Sequence, residues 1–466
     1  MSRTRIIKGR LTEIIEGDYD MYSSSNIIYN SSVEIREAGV ERGITYGSPQ
    51  YPPLAPQPIK LIVHFRPHKN WKGEFGFDWF RLGDTMLYRD VAFKDVVAYQ
   101  YSDYQLTKLV DNSVNENVNK KNGYFKVDEE MLNELKKLYK PFTIPWKQTK
   151  NPAGKMVAEE YFVPWLSLLK DKEAKITFLA DIKQEADYLE FPPSDYFTFT
   201  PNTIDIKGKK KISLNDFDII IKCIKEFEID QTIELKAFKK TEKGNLETVV
   251  GKLNVWANDV SKQKEKNVVF VKVFVQNLSG GIKPKPIIID NEKERINQYL
   301  QQVYIKLSDQ SDIIDLDLTN DKDFLNFITD NAVDYKKTFG YRSLDDYLKM
   351  KLEKDYPKKY SNHFKAFYFA EKGYGGPMSN LNGYSATNAD FVVAFSTKDD
   401  QTVVHEFLHS MGLAHTFTNK YTDKNALFTY DYERTDNLMD YVSDTEKNKR
   451  NSLYYWQWKI ANESIK

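Results

Sequence analysis

The sequence predicts a multidomain chain, with β-rich, sandwich-like N-terminal domains followed by a mixed α/β domain. Three observations lead there. A length of 466 residues is more than one hydrophobic core usually supports. As far as about residue 280, apolar residues mostly alternate with polar ones, are rich in β-branched and aromatic types, and are punctuated by Gly, Asn and Lys. Beyond that point the apolar period becomes helical in places.

Residues 1–57 are polar and end in the proline-rich "YGSPQYPPLAPQPIK", which reads as an extended arm and linker. Residues 58–200 form the first β-rich domain. "LIVHFRPHKNWKGEFGFDWFRLGDT", "KITFLADI" and "DYFTFT" read as strands, and "EEMLNELKKLYK" as one helix. Residues 201–284 carry "TIELKAFKK", "VVGKLNVWA" and "VVFVKVFVQNL", spaced like a small antiparallel sandwich. "LSGGIKPKP" then breaks the pattern, so the last domain is placed over 285–466. In it, "NEKERINQYLQQVYIKL" puts Ile296, Leu300 and Val303 on one helical face. "DIIDLDL", "HFKAFYFAE" and "ADFVVAF" read as strands, and "DFLNFITDNAV" as a helix. "DDQTVVHEFLHSMGL" is a helix opening at Asp399 or Asp400 and stopping at Gly412. "NSLYYWQWKIA" is an amphipathic helix with Leu453, Trp456 and Ile460 inward.

The totals exclude several classes. Lys+Arg and Asp+Glu are 67 each, so bulk charge offers no reason for a nucleic-acid or anionic-membrane partner. The basic run "KGKKK" at 207–211 reads as a solvated turn between strands. The single cysteine, Cys223, excludes an internal disulfide and a cysteine-based zinc site, and sits in an apolar run as a buried inert thiol. There is no signal-peptide h-region and no long apolar run. The expectation is a protein without a membrane span, cytoplasmic or exported by a signal-peptide-independent system.

Three of the six histidines lie in "HEFLHSMGLAH", residues 405–415. Residues four apart share a helix face, so His405 and His409 can present two imidazoles to one ion. Glu406 projects beside them, where a carboxylate reaches a water rather than the ion. Gly412 allows the chain to leave the helix, and His415 can return as a third nitrogen ligand. Three protein ligands and an open position are what catalytic zinc requires. Each histidine alone reads better as a hydrogen-bonded core residue, but the set, spaced H-E-x-x-H-x-x-G-x-x-H, points to zinc. Further on, "TDNLMDY" centres on Met439, with Tyr441 two positions later.

"HEFLHSMGLAHTF" followed by "NLMDY" resembles the metzincin clan of zinc metallopeptidases, and within it the pappalysin and cytophagalysin group. The resemblance implies a metzincin-like catalytic domain with a mixed twisted sheet and an active-site helix. It implies His405, His409 and His415 as zinc ligands, Glu406 as general base, Met439 as an apolar floor beneath the imidazoles, and Tyr441 approaching the zinc or the oxyanion. "GYSATNADFVVAF", residues 383–395, would supply the last strands before the helix, including an edge strand that pairs with extended substrate. One departure is that secreted members often carry cysteines in this lobe, and this chain has none there. A second resemblance, of "IIKGRLTEIIEGDYDMYSSSNI" and "WKGEFGFDWFRLGDT" to N-terminal regions of bacterial multidomain effectors or toxins, implies a delivery or docking platform over the first 280 residues that would meet a secretion machinery, with the last 180 as payload. Ordinary sandwich packing is the competing reading.

The expected function is therefore zinc-dependent endopeptidase action on a protein or peptide substrate. The alternatives are a non-catalytic binding or adaptor protein on a metallopeptidase scaffold, and a zinc hydrolase of cell-wall peptides. His64, His68 and His363 lie outside the motif. "HFRPH" spaces the first two by four on a strand-like stretch, and both are read as surface or turn residues.

Overall fold

Alternation in "KITFLADI" becomes the strand Glu173–Ile182, which turns Ala174, Ile176, Phe178, Ala180 and Ile182 inward. It pairs antiparallel with Leu61–Pro67 on one side and Ile219–Cys223 on the other. Phe197–Thr200 and Lys211–Ile212 complete a five-stranded sheet. The structure, a computed structural model, describes residues 59–101, 125–151, 154–241, 244–276, 285–288, 291–376, 379–420, 423–441 and 449–465. The arm expected over 1–57 lies outside the described residues.

Facing that sheet is a six-stranded one, built on the hairpin Gln231–Thr241 and Gly244–Val255 and extended by Tyr188–Glu190, Thr203–Asp205, Trp165–Ser167 and Gly76–Asp78. The sheets meet closely: a Cβ at Gly251 would stand 3.1 Å from Val63 and 3.2 Å from the Phe65 ring. Strands from either side of residue 200, expected in separate domains, therefore share both sheets. The pairings are between chain-distant strands, which periodicity cannot see. The "KGKKK" turn lies exposed between Thr203–Asp205 and Lys211–Ile212, and Cys223 is buried with its thiol on Lys225 O.

The C-terminal sheet is mixed. Its order is Asp312–Leu318, Val268–Val275, Phe364–Phe369, Phe391–Ala394, Gly383–Tyr384, parallel except for the last, edge strand. Val268–Val275, placed by sequence with the second β-rich domain, is thus central here. Its nearly continuous apolar run fits a strand covered on both faces. Val268 and Phe270 join one core, and Val269, Val271, Val273 and Val275 another. "DFLNFITDNAV" is not a helix. A short 3-10 turn, Lys322–Phe327, leads into a hairpin pairing Ile328 with Val333, because Asp330 and Asn331 both adopt positive φ, 49° and 60°. The last helix, Tyr455–Ser464, is buried nearly all round, including Trp458 and Gln457, rather than on one face.

One core unites residues expected to lie in different domains. Phe80, Phe93, Val97, Met131, Leu135, Trp165 and Trp256 pack with Val404, Leu408, Met439 and Trp458. Trp165 stacks on Tyr455 at 3.7 Å, and Thr429–Tyr430 pairs with Val97–Tyr101. Beneath this contact Arg81 is buried over the Trp79 ring, 3.2 Å from Asp436, 3.6 Å from Asp78 and 3.9 Å from Asp90. Among the described residues no helix is long and apolar enough to cross a membrane.

Candidate metal centre

The helix carrying the motif is Thr402–Ser410. It begins two residues after the acidic pair because Asp399 closes the turn before it, its carboxylate accepting from Gln401 N and Thr402 Oγ1. The helix packs on Phe391–Ala394 and Gly383–Tyr384, with the Phe407 ring 4.6 Å from that of Phe364. Its end follows the sequence reading. Gly412, at φ 88°, donates to His409 O at 2.9 Å, and Leu413 N donates to Leu408 O at 3.0 Å, a Schellman closure. A Cβ at Gly412 would also lie 3.0 Å from Asn388 Oδ1. Gly412→Ala is therefore expected to cost about 1 kcal/mol or more and to weaken metal retention by displacing His415, read by thermal unfolding and by metal content.

That closure brings the three imidazoles together. Their Nε2 atoms form a triangle with edges of 3.2 Å (His405 to His415), 3.1 Å (His405 to His409) and 3.0 Å (His409 to His415). Four-coordinate zinc with nitrogen ligands needs edges of about 3.3 Å. The tautomers follow from the other ring nitrogens. His405 Nδ1 lies 2.7 Å from Leu438 O, and His409 Nδ1 2.7 Å from Leu413 O. A carbonyl only accepts, so both Nδ1 atoms carry the proton and both Nε2 atoms present bare lone pairs to each other. A cation in the triangle resolves that repulsion. Burial also lowers all three imidazole pKa values, that of His409 to about 4, which keeps the rings neutral and ready to ligate. These three residues are the group of described side chains whose donor atoms are arranged to hold a metal ion.

Glu406 is buried. Burial pushes its carboxyl up to about 8, against a backbone hydrogen bond from Ser385 and the charge of Arg450. A divalent cation beside it acts in the opposite direction and favours the carboxylate. The edge strand reaches this point: a Cβ at Gly383 would stand 3.3 Å from Glu406 Cγ. The Tyr441 ring is 4.7 Å from that of His415 and 6.0 Å from that of His405, and 38% of the residue is exposed. Met439 is fully buried, its N–H donating to Asn437 Oδ1 and its carbonyl accepting from Thr416 N. Asp440 closes the turn through Glu433 N, Thr435 N, Thr435 Oγ1 and Tyr441 N.

The chain matches no protein-family profile and no curated protein. Among solved structures it is similar to the archaemetzincin of Methanopyrus kandleri, at 13% identity and a TM-score of 0.27, over 44% of this chain and 97% of that one. A likeness at that level decides neither fold nor function, so the functional reading rests on the geometry of the site itself.

The three histidines of the motif converge, and the Tyr441 ring lies beside two of them. The histidines outside the motif do not join them, and His64 was misplaced. His64 lies in the strand Leu61–Pro67, stacked on Tyr161 at 5.2 Å, with burial lowering its pKa to about 3. His68 opens a turn, as expected, its carbonyl accepting from Trp71 N and its Nδ1 from Asn70 N, but it is buried rather than on the surface. Sequence reading also missed Arg450. It donates to Asp440 O at 2.6 Å and to Gln401 Oε1 at 3.4 Å, tying the methionine turn to the start of the histidine helix. An isolated arginine in "KNKRNS" carries no local signal, because its partners are distant in sequence. Phe417, two residues beyond the third histidine, carries no role from spacing alone, yet its ring stacks on His415 at 4.8 Å.

Proposed function

We propose that this chain is a zinc-dependent endopeptidase. The observation that carries the proposal is the triangle of Nε2 atoms with two Nδ1 atoms locked on carbonyls, an arrangement that suits a tripodal metal site. Zinc, when bound, supplies Lewis acidity towards water and the peptide carbonyl. The remaining work falls to the chain. Glu406 accepts a proton from water at its carboxylate and passes it to the leaving amine. Tyr441, whose ring lies beside those of His405 and His415, donates its phenolic O–H towards the developing oxyanion. The edge strand Gly383–Tyr384 offers main-chain groups to an extended peptide.

The test is elemental analysis of the purified full chain beside His409→Ala. About one zinc per chain is expected in the native protein and almost none in the variant, with chelation abolishing and added zinc restoring cleavage of a peptide library. Because protons compete with metal for neutral imidazole, the depressed imidazole pKa values predict zinc release at a more acidic pH than free histidine would give. No zinc in either protein after zinc is offered would overturn the proposal and favour the binding-protein reading.

A further inference from the structure

Tyr441 is held from both ends of the chain. Arg450 donates to the carbonyl of Asp440, and Arg89 Nη1 donates at 2.9 Å to the next carbonyl, that of Tyr441 itself, from 352 residues away. Arg89 does so in a backbone conformation that is costly for a residue with a Cβ, φ 50°. The surrounding loop enforces that conformation. Asp90 Oδ2 accepts from Thr85 N at 2.8 Å and from Thr85 Oγ1 at 2.7 Å, Val91 N donates to Arg89 O at 2.8 Å, and Asp90 Oδ1 lies 3.9 Å from the buried Arg81. A surface arginine with no task would not need so determined a loop.

We propose that Arg89 is a positioning residue of the histidine site: it fixes the Tyr441 backbone, and through it the Tyr441 ring beside His405 and His415. A segment that sequence assigns to a separate β-rich domain thereby completes the candidate active site. The inference deepens the peptidase reading and rests on it only for turnover, since the position of Tyr441 can be read without catalysis.

The experiment uses full-length Arg89→Met, Arg89→Lys, Tyr441→Phe and the Arg89→Met/Tyr441→Phe double variant, each loaded with cobalt(II) as an optical probe of the three imidazoles and their surroundings. Arg89→Met is expected to bind cobalt at native stoichiometry with an altered visible spectrum that matches Tyr441→Phe. The double variant should add nothing, and Arg89→Lys, which keeps a donor, should return the native spectrum. On a peptide substrate, losing one such hydrogen bond should lower kcat about three- to tenfold with little change in KM, and not at all in the Tyr441→Phe background. A native spectrum in Arg89→Met, whatever Tyr441→Phe does, overturns the proposal. So do effects that add in full, which would mark Arg89 as a general stabiliser. If no peptide is cleaved, the peptidase reading fails while the spectra still decide on Arg89.

Discussion

Glu406→Gln is expected to keep about one zinc per chain and to lose at least about a thousandfold in turnover. Glutamine fills the same volume beside Gly383 Cα and retains an oxygen for the Ser385 N–H, so the triangle of imidazoles has no reason to move. What it loses is the ability to take a proton from water and return it to the departing amine. Burial disfavours charge on the Glu406 carboxyl, and a cation held by the imidazoles acts the other way and favours the carboxylate, the form that takes up a proton. Metal content and turnover must be measured on the same preparations. Full metal with full turnover would remove Glu406 from the chemistry, and lost metal would mean that the substitution had damaged the site rather than its base.

The second large effect concerns what the catalytic unit is. Residues 285–466 expressed alone are expected not to fold, by circular dichroism and amide exchange. They lack Val268–Val275, which pairs on both edges inside the C-terminal sheet. They also lack Phe80, Phe93, Met131, Trp165 and Trp256, which fill the core beneath the histidine helix. In the full chain, Arg81→Met should reproduce part of this loss, at about 3–5 kcal/mol. It leaves Asp78, Asp90 and Asp436 buried without their shared cation. A folded, metal-binding 285–466 fragment would restore the picture of a platform carrying a separable payload. An unfolded fragment together with a destabilised Arg81→Met chain would mean that the β-sandwich is part of the framework that holds the histidine site.

The sequence by itself determined the local chemistry. His405 and His409 share a face because an α-helix repeats every 3.6 residues, and Gly412 ends that helix because it pays no Cβ penalty at positive φ. His415 follows at a spacing that lets the third imidazole return. All of this lies within residues 405–415, where backbone geometry leaves little freedom. The alternating runs 173–182, 231–241 and 244–255 were legible as strands for the same reason. Tertiary structure alone decided which strands pair, and therefore where the domains are. Val268–Val275 has the same local pattern whether it edges a small sandwich or lies at the heart of a parallel sheet. Only its partners Asp312–Leu318 and Phe364–Phe369, far along the chain, distinguish the two. Arg81, Arg89 and Arg450 were unreadable for the same reason. Each has a partner remote in the chain, Asp436 for Arg81, the Tyr441 carbonyl for Arg89 and Gln401 for Arg450, and an arginine's meaning depends on what folding places within reach of its guanidinium.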